Sequence, residues 1–282
     1  MLSYRHAFHA GNHADVLKHF CLFAVLTYFN QKDKPYWYID THAGAGLYDL
    51  HDEKAQKIGE YQNGIARVLA HHGLPEDLTA FTSYLKQAVP DMNVHYCGSP
   101  WLAQALVRRD DRLRLFELHP TDYALLNQNM QESRAAKRTQ IIHGDGFKGL
   151  LSLLPPPTRR AVVLIDPPYE LKQDYSAAVQ TLQAALKKFA GGCYLLWYPM
   201  LSRTESIGLP EKLKKLSPAS YVHAQLQVNR PRADGLGMHG SGMFIINPPY
   251  TLVQILREVL PILTAVLAQD SGAVWHLDGK AV

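Results

Sequence analysis

The sequence of 282 residues has few cysteines, no long apolar run and no strong excess of one charge. Its cysteines, Cys21, Cys97 and Cys193, are odd in number and widely spaced, which argues against a disulfide framework or a zinc ribbon and favours a reducing cytoplasm. No apolar stretch reaches membrane-spanning length, and the His-rich amino terminus lacks the apolar core of a secretory signal. We therefore expect a cytoplasmic protein without a membrane partner.

The remaining composition is that of an ordinary globular protein, with 47% hydrophobic and 19% charged residues. This length permits one large α/β domain or two small ones. The formal net charge of +4 permits a nucleic-acid partner without requiring one, because many basic proteins bind none.

Residues 161–165, Ala-Val-Val-Leu-Ile, form a continuous apolar run that predicts a strand buried on both faces of a parallel sheet. The strand must end at Pro167 and Pro168, which cannot donate to a ladder and fix φ. Ligands of open α/β sheets bind at this carboxyl edge. Asp166 and the Pro167 carbonyl could accept from an amino group on a heterocycle, and Tyr169 could stack on its ring. The plainer alternative is a Pro-Pro strand ending without function.

A second tetrapeptide of the same form, Asn247-Pro-Pro-Tyr250, follows a predicted strand near residues 243–247. Only one of the two can be the site. The Asn247 copy has too little chain behind it for a complete cofactor-binding half, whereas Asp166 lies where a fourth strand is expected. We interpret Asn247 as the end of a late strand that leads into the last helix.

Polar residues also follow the three preceding predicted strands of the sheet. Asp40 begins a turn of small residues, 40–46, through which the backbone can pass close to a ligand. Glu117 is placed to accept from a ribose diol, and Asp145 to accept from an adenine amino group. Each carboxylate alone could be a solvated surface group. Their order along the chain, ending at Asp166, instead predicts four polar strand ends along one edge of one sheet.

The first nineteen residues contain four histidines, which raises the question of a metal site. Gly11 and Asn12 interrupt any helix that would align these histidines, and no carboxylate or cysteine is suitably spaced, so we expect no metal. Hydrogen bonding, packing or substrate contact is the alternative that we favour. Asn12 or Asp15 is expected to cap the helix that follows.

The stretch 48–90 departs from the alternation of strands and helices. It contains two helical patterns, over residues 60–69 and 78–88. We therefore predict one α/β domain formed by residues 1–47 and 91–282, with residues 48–90 as a small helical insertion. Residues 1–30 are expected to form an amino-terminal target and cofactor segment.

The Asp-Pro-Pro-Tyr turn resembles the motif of S-adenosylmethionine-dependent amino methyltransferases. The whole chain resembles the RlmJ family of bacterial methyltransferases, which modify N6 of an adenine in 23S ribosomal RNA. The resemblance rests on residues 1–6 (MLSYRH), 11–19 (GNHADVLKH), 40–46 (DTHAGAG), 117–120 (ELHP), 166–170 (DPPYE) and 196–199 (LWYP). It implies a Rossmann-like class I methyltransferase fold with a mostly parallel seven-stranded sheet, and S-adenosyl-L-methionine as the cofactor.

The same resemblance implies roles for particular residues. Asp166, Pro167 and Tyr169 are expected to act on the target amine, with Tyr4, His6 and Tyr169 binding the substrate. The expected cofactor contacts are Lys18, His19, His42, Ser99, Glu117, Asp145, Gly146 and Asp166.

The resemblance also implies that the protein acts as a monomer. Its expected partner is 23S ribosomal RNA, either protein-free or in an early assembly intermediate. Members of the family have also been described as proteins for the catabolism of external DNA. Two alternatives therefore stay open, a DNA adenine-N6 methyltransferase and a non-enzymatic nucleic-acid-binding factor for the use of external DNA.

Overall fold

A computed structural model describes residues 6–52, 59–131 and 133–280 of the chain. The strands are β1 (Trp37–Asp40), β2 (Leu47–Asp49), β3 (His95–Cys97), β4 (Arg112–Glu117), β5 (Thr139–His143), β6 (Ala161–Ile165), β7 (Cys193–Met200), β8 (Tyr221–Gln227), β9 (Gly240–Ile246) and β10 (Val274–Lys280). The helices are α1 (His13–Asn30), α2 (Ile65–Ala70), α3 (Glu76–Ala88), α4 (Ser99–Leu106), α5 (Pro120–Gln131), α6 (Gly146–Leu153), α7 (Lys172–Lys188), α8 (Thr204–Ile207), α9 (Leu209–Lys214) and α10 (Leu252–Leu267). None of these helices is long and apolar enough to cross a membrane.

An eight-stranded sheet in the order β10-β8-β9-β7-β6-β1-β4-β5 organises the described chain. Five neighbouring strands pair in parallel, in the order β7, β6, β1, β4 and β5. The strands β9, β8 and β10 continue the sheet beyond β7 with antiparallel pairing. The prediction of a mostly parallel Rossmann-like sheet is confirmed, but the sheet has eight strands and not seven. The additional strand is β10, which follows the helix that was expected to close the domain.

Helices cover both faces of this sheet and enclose two hydrophobic cores. Along β6, Val162 and Leu164 point into the core built with α1, α4 and α10, whereas Val163 and Ile165 point into the core built with α6 and α7. Every residue of β6 is buried. The continuous apolar run of β6 is therefore explained by burial on both sides, as predicted.

The sequence left two candidates, Asn12 and Asp15, for the residue that caps the first helix. The Asn12 side-chain oxygen accepts from the backbone N–H groups of Ala14 and Asp15 at 2.9 and 3.0 Å, so Asn12 is the cap. Gly11 precedes it with a φ of 80°, a backbone conformation that a side chain would strain. This turn brings residues 6–12 back onto the start of α1.

The predicted insertion is largely helical where it is described. A short 3₁₀ turn, Glu60–Asn63, is followed by α2, which packs against α10, and by α3, which packs against α1 and α10. The strands β2 and β3 flank this stretch and pair with each other outside the main sheet. The division at residues 48 and 90 stays a prediction.

Strand direction separates the two Pro-Pro-Tyr tetrapeptides. Strand β6 runs parallel to its neighbours β1 and β7, but β9 runs antiparallel to β7, so Asn247 lies at the opposite edge of the sheet from Asp166. The Asn247 amide nitrogen donates to the carbonyls of Ala190 and Gly192, both at 2.7 Å. Asn247 thus closes a structural turn, in agreement with its interpretation as a strand end.

Candidate active site

A cavity of about 540 Å³ opens at the carboxyl edge of the parallel strands. The turns after β1, β4, β5 and β6 form one wall, and the first turns of α1 form another. The described predicted residues that line it are His6, Lys18, His19, His42, Ser99, Glu117, Asp145, Gly146, Asp166, Pro167 and Tyr169. Tyr4, the remaining predicted residue, lies outside the described residues. The fold thus brings these side chains to one cavity, while their chemical roles stay predictions.

Lys18 reaches across the cavity wall to Asp166. Its ammonium lies 2.7 Å from Oδ2 of Asp166 and 2.8 Å from Oδ1 of Asp15, a residue one helical turn earlier. Burial would lower the pKa of the Lys18 ammonium, but the two carboxylates outweigh burial and hold that pKa well above its usual value. Lys18 is therefore a permanent buried cation with two carboxylate partners.

Tyr169 forms part of the cavity wall in an uncommon backbone conformation, with a φ of 52°. Its hydroxyl donates to the carbonyl of Trp197 at 2.8 Å, and its ring lies against Tyr175 with ring centroids 4.5 Å apart. The side chain is only 2% exposed. Its packing fixes the turn after Asp166 and leaves almost no ring surface for the predicted stacking on a target base, which stays a prediction.

Glu117 ties two neighbouring turns together at the end of β4. One oxygen accepts from the backbone N–H of Gly44 and the other from that of His119, both at 2.7 Å. Burial raises the pKa of this carboxyl, although these N–H donors oppose the shift. Each carboxylate oxygen has a second lone pair, so Glu117 can still accept from a ligand hydroxyl.

Asp145 and Gly146 line the cavity at the turn after β5. Asp145 caps α6 by accepting from the N–H groups of Phe147 and Lys148, and its second oxygen lies 3.5 Å from the Lys148 ammonium. A Cβ at Gly146 would overlap the Thr41 carbonyl. A glycine is therefore needed here for the turns after β1 and β5 to approach each other.

Ser99 is the first residue of α4 and does not cap this helix. The cap residue is Gly98, and the Ser99 hydroxyl instead donates to Asp40 at 2.6 Å. Tyr38 donates to the same oxygen of Asp40 at 2.7 Å. Burial raises the pKa of Asp40 to about 6, even though both hydroxyls lower it.

Two cavity histidines are neutral at physiological pH. Burial lowers the pKa of His42 to about 4 and that of His19 to about 3. Nδ1 of His42 lies 2.8 Å from the Thr41 hydroxyl, and Nδ1 of His19 lies 2.9 Å from that of Tyr96. Both rings therefore offer hydrogen-bonding groups without adding positive charge.

Asp15 and Trp197 are site residues that do not stand out in the sequence. The sequence offers Asp15 as a candidate helix cap, although its spacing of three from Lys18 on a helix also predicts that the two side chains meet. The Lys18 ammonium lies 5.7 Å from the centroid of the Trp197 ring, within the range of a cation–π contact. Trp197 lies in one of the family-like strings, but nothing in its local pattern indicates a place in the cavity.

The described residues include one cluster with metal-ligand chemistry, formed by His223, His276 and Asp278. None of these three side chains lines the cavity. The Lys214 ammonium lies 2.7 Å from Asp278 and already supplies a cation there. Of the amino-terminal histidines, His6 lies 2.9 Å from Asp15 and His9 lies 3.1 Å from Glu60. The expected absence of a metal stays a prediction.

The sheet order, the polar strand ends and the Asp-Pro-Pro-Tyr turn define a Rossmann-like class I methyltransferase. A family model described as "Ribosomal RNA large subunit methyltransferase D, RlmJ" matches residues 33–278. The chain belongs to this family, and the family resemblance inferred from the sequence is confirmed.

Similar proteins cover nearly the whole chain. A protein of Escherichia coli (strain K12) named "Ribosomal RNA large subunit methyltransferase J" is 44% identical over 268 residues, which are 95% of this chain and 94% of that protein. A protein of the same name from Haemophilus influenzae is 40% identical and covers 99% of this chain and 98% of its own. The crystal structure of protein LPL1258 from Legionella pneumophila has a TM-score of 0.87 at 36% identity, with 96% of this chain and 98% of that chain covered.

Proposed function

We propose that this methyltransferase transfers a methyl group from S-adenosyl-L-methionine to N6 of an adenine in 23S ribosomal RNA. The observation that carries the proposal is the shared cavity of Asp166, Pro167, Glu117 and Asp145, which joins a candidate amine site to candidate nucleoside contacts. The names of the relatives that are 44% and 40% identical support ribosomal RNA of the large subunit as the substrate.

The described side chains fit the proposed cofactor. The cavity volume of about 540 Å³ suits a small molecule. Glu117 would accept from the ribose diol, and the second oxygen of Asp145 would accept from the adenine amino group. The turn of small residues after Asp40 would wrap the methionine part, together with His42, Ser99, Lys18 and His19. The sulfonium of this cofactor would supply an activated methyl group, so the protein mainly orients the reactants and excludes water.

Asp166 and the Pro167 carbonyl would accept from the two N–H groups of the target amine. These hydrogen bonds would draw the nitrogen lone pair out of conjugation with the ring and toward the methyl group. Because Oδ2 of Asp166 accepts a hydrogen bond from the Lys18 ammonium, Oδ1 is the oxygen that remains for the amine. A neutral arylamine is too weak an acid for prior deprotonation, so Asp166 would take the proton as the new bond forms or after it.

The target adenine must leave any helix before it can enter this cavity, since its N6 is otherwise paired and stacked. His6 would lie on the target side, because it lines the cavity next to the amino-terminal turn. Tyr169 would contact the base through the part of the cavity wall that it forms.

Methyl transfer from radiolabelled S-adenosyl-L-methionine tests the proposal directly. The substrates are protein-free 23S ribosomal RNA, assembled large subunits and duplex DNA, and digestion to nucleosides identifies the product. We expect N6-methyladenosine from the free RNA. Product from DNA alone would instead support a DNA methyltransferase. Failure to bind S-adenosyl-L-methionine in calorimetry would support a nucleic-acid-binding factor without enzymatic activity.

Light scattering measures the molecular mass in solution and thereby tests the proposed monomer, for which 31.7 kDa is expected.

A further inference from the structure

We propose that Asp15 is a positioning residue that holds the Lys18 ammonium against Asp166 and anchors the amino-terminal turn over the cavity. This inference rests on the proposed function, because it assigns to Asp166 the contact with the target amine. Asp15 would touch neither the base nor the cofactor methyl group. It would act through the residues that it holds.

Asp15 is fully buried and each of its oxygens has charged or polar neighbours. Oδ2 lies 2.9 Å from Nε2 of His6 and accepts from the backbone N–H of Gly11 at 2.9 Å. Oδ1 forms the ion pair with Lys18 at 2.8 Å and lies 4.0 Å from Nε2 of His19. Burial would raise the pKa of this carboxyl, but His6, Lys18 and His19 hold it well below its usual value. Asp15 is therefore a buried anion surrounded by donors.

The two carboxylates together set the position of the Lys18 ammonium. Asp15 lies on the same helix as Lys18, one turn earlier, so this side of the arrangement is rigid. Asp166 belongs to a turn after β6, and its side chain is held by Lys18 at 2.7 Å. Removing the charge of Asp15 leaves a buried ammonium with one carboxylate partner, which is unfavourable enough to shift the Lys18 side chain.

The second oxygen of Asp15 connects this pair to the amino-terminal turn. The positive φ of Gly11, 80°, allows its N–H to face the helix start and reach Asp15. His6 binds the same oxygen and lines the cavity. A carboxylate only accepts hydrogen bonds, so Nε2 of His6 must carry a proton in this contact. One side chain thereby fixes both a target-side histidine and the lysine on Asp166.

The test is a double-mutant cycle with D15N and K18M, measured as kcat and KM for methyl transfer to 23S ribosomal RNA. The isosteric D15N removes the charge and places an amide donor against other donors. We expect kcat to fall about 10- to 100-fold, since the ion pair that holds the Lys18 ammonium is lost. KM for S-adenosyl-L-methionine should rise by a smaller factor than kcat falls, because Lys18 is only one of several proposed contacts of the cofactor. In the K18M background, D15N should lower kcat less than about threefold, because the two residues act as a unit.

Asp111 offers a matched control at the other edge of the sheet. It is a buried aspartate that accepts from the Tyr36 N–H at 2.9 Å and pairs with Arg108 at 3.0 Å. D111N should lower the thermal unfolding temperature as D15N does but leave kcat unchanged. A loss of kcat in D111N equal to that in D15N would mean that any loss of stability has this effect, and would overturn the inference.

A crystal structure of D15N gives a second readout that does not depend on methyl transfer. We expect the Lys18 ammonium to leave its position 2.7 Å from Asp166 and His6 to lose its contact with residue 15. An unchanged Lys18–Asp166 pair, a wild-type kcat, or equal D15N effects in both backgrounds would overturn the inference. If the wild-type protein methylates no RNA, the proposed function fails, while the D15N structure still decides the positioning role.

Discussion

Lys18 and Asp166 are separated by 148 positions in the chain, yet the Lys18 ammonium lies 2.7 Å from a carboxylate oxygen of Asp166. This contact joins the first helix to the turn after the central strand β6. One oxygen of Asp166 is thus occupied by a cation, and the carboxylate has a defined orientation before any substrate binds. The consequences of this pair and of its surroundings can be measured.

Replacing Asp166 by Ala should lower the rate of methyl transfer to ribosomal RNA by about 100- to 1,000-fold or more, since it removes an acceptor for the reacting amine. Binding of S-adenosyl-L-methionine, measured by calorimetry, should be weaker but detectable. Asp166→Asn is the matched control, because its amide keeps one acceptor but cannot form the ion pair with Lys18. Full activity of Asp166→Ala would contradict the catalytic assignment.

Replacing Glu117 by Gln should weaken the binding of S-adenosyl-L-methionine. An amide in this place keeps one acceptor but turns a donor toward the N–H of Gly44 or His119, each of which now donates at 2.7 Å. We expect the dissociation constant to rise about 10- to 100-fold, the cost of losing a hydrogen bond to a charged group. Calorimetry measures this constant, and exposed Asp110, next to the start of β4, supplies a control in which Asp110→Asn should bind normally. Equal affinities of wild type and Glu117→Gln would argue against a ribose contact.

Replacing Asn247 by Ala should affect stability and not catalysis. The substitution removes two hydrogen bonds to the Ala190 and Gly192 carbonyls and places alanine at a φ of 52°. We expect the free energy of unfolding, measured in urea, to fall by about 1–3 kcal/mol, while kcat stays unchanged. Asn247→Gly separates the two causes, because glycine tolerates this φ but also lacks the amide. Loss of methyl transfer with normal stability would show that the second tetrapeptide has a direct role.

The buried histidines should make the protein less stable as the pH falls. Burial lowers the pKa of His13 and His42 to about 4 and that of His19 to about 3, from an ordinary 6.5. Between these values the unfolded chain binds more protons, so the stabilisation is complete above about pH 6.5 and is lost as the pH falls through the folded-state pKa. Each of these histidines should lower the free energy of unfolding by about 2 kcal/mol at pH 5 relative to pH 7.5.

Asp40 acts in the opposite direction, because its pKa is raised to about 6. Its protonation favours the folded state as the pH falls, by about 1 kcal/mol at pH 5, which is less than the three histidines together. Urea unfolding at pH 7.5 and pH 5 measures the net loss. The His13→Asn variant removes one titrating group and should show a smaller loss. A free energy of unfolding that does not change between these pH values would contradict the prediction.

The local pattern of the sequence was sufficient to predict the strands in the central part of the sheet. The apolar run of β6 and the polar residues after β1, β4 and β5 predicted parallel strands with a common ligand edge, because side-chain burial and strand ends are encoded locally. The additional strand β10 was not predicted, because its residues, half-buried or exposed, lack the apolar run of a central strand. Ser99 illustrates a different limit, since its partner Asp40 is 59 positions away.

The sequence by itself determined the family, the central strands and the set of candidate residues, because motifs and hydrophobic patterns are properties of neighbouring positions. The sequence already favoured Asp166 over Asn247, and the tertiary structure supplied the physical reason, which is the antiparallel direction of β9. Only the tertiary structure brought His6 to Asp15 and Lys18 to Asp166. These contacts arise from the fold of the amino-terminal turn and from the packing of α1 against the sheet, which no local pattern specifies.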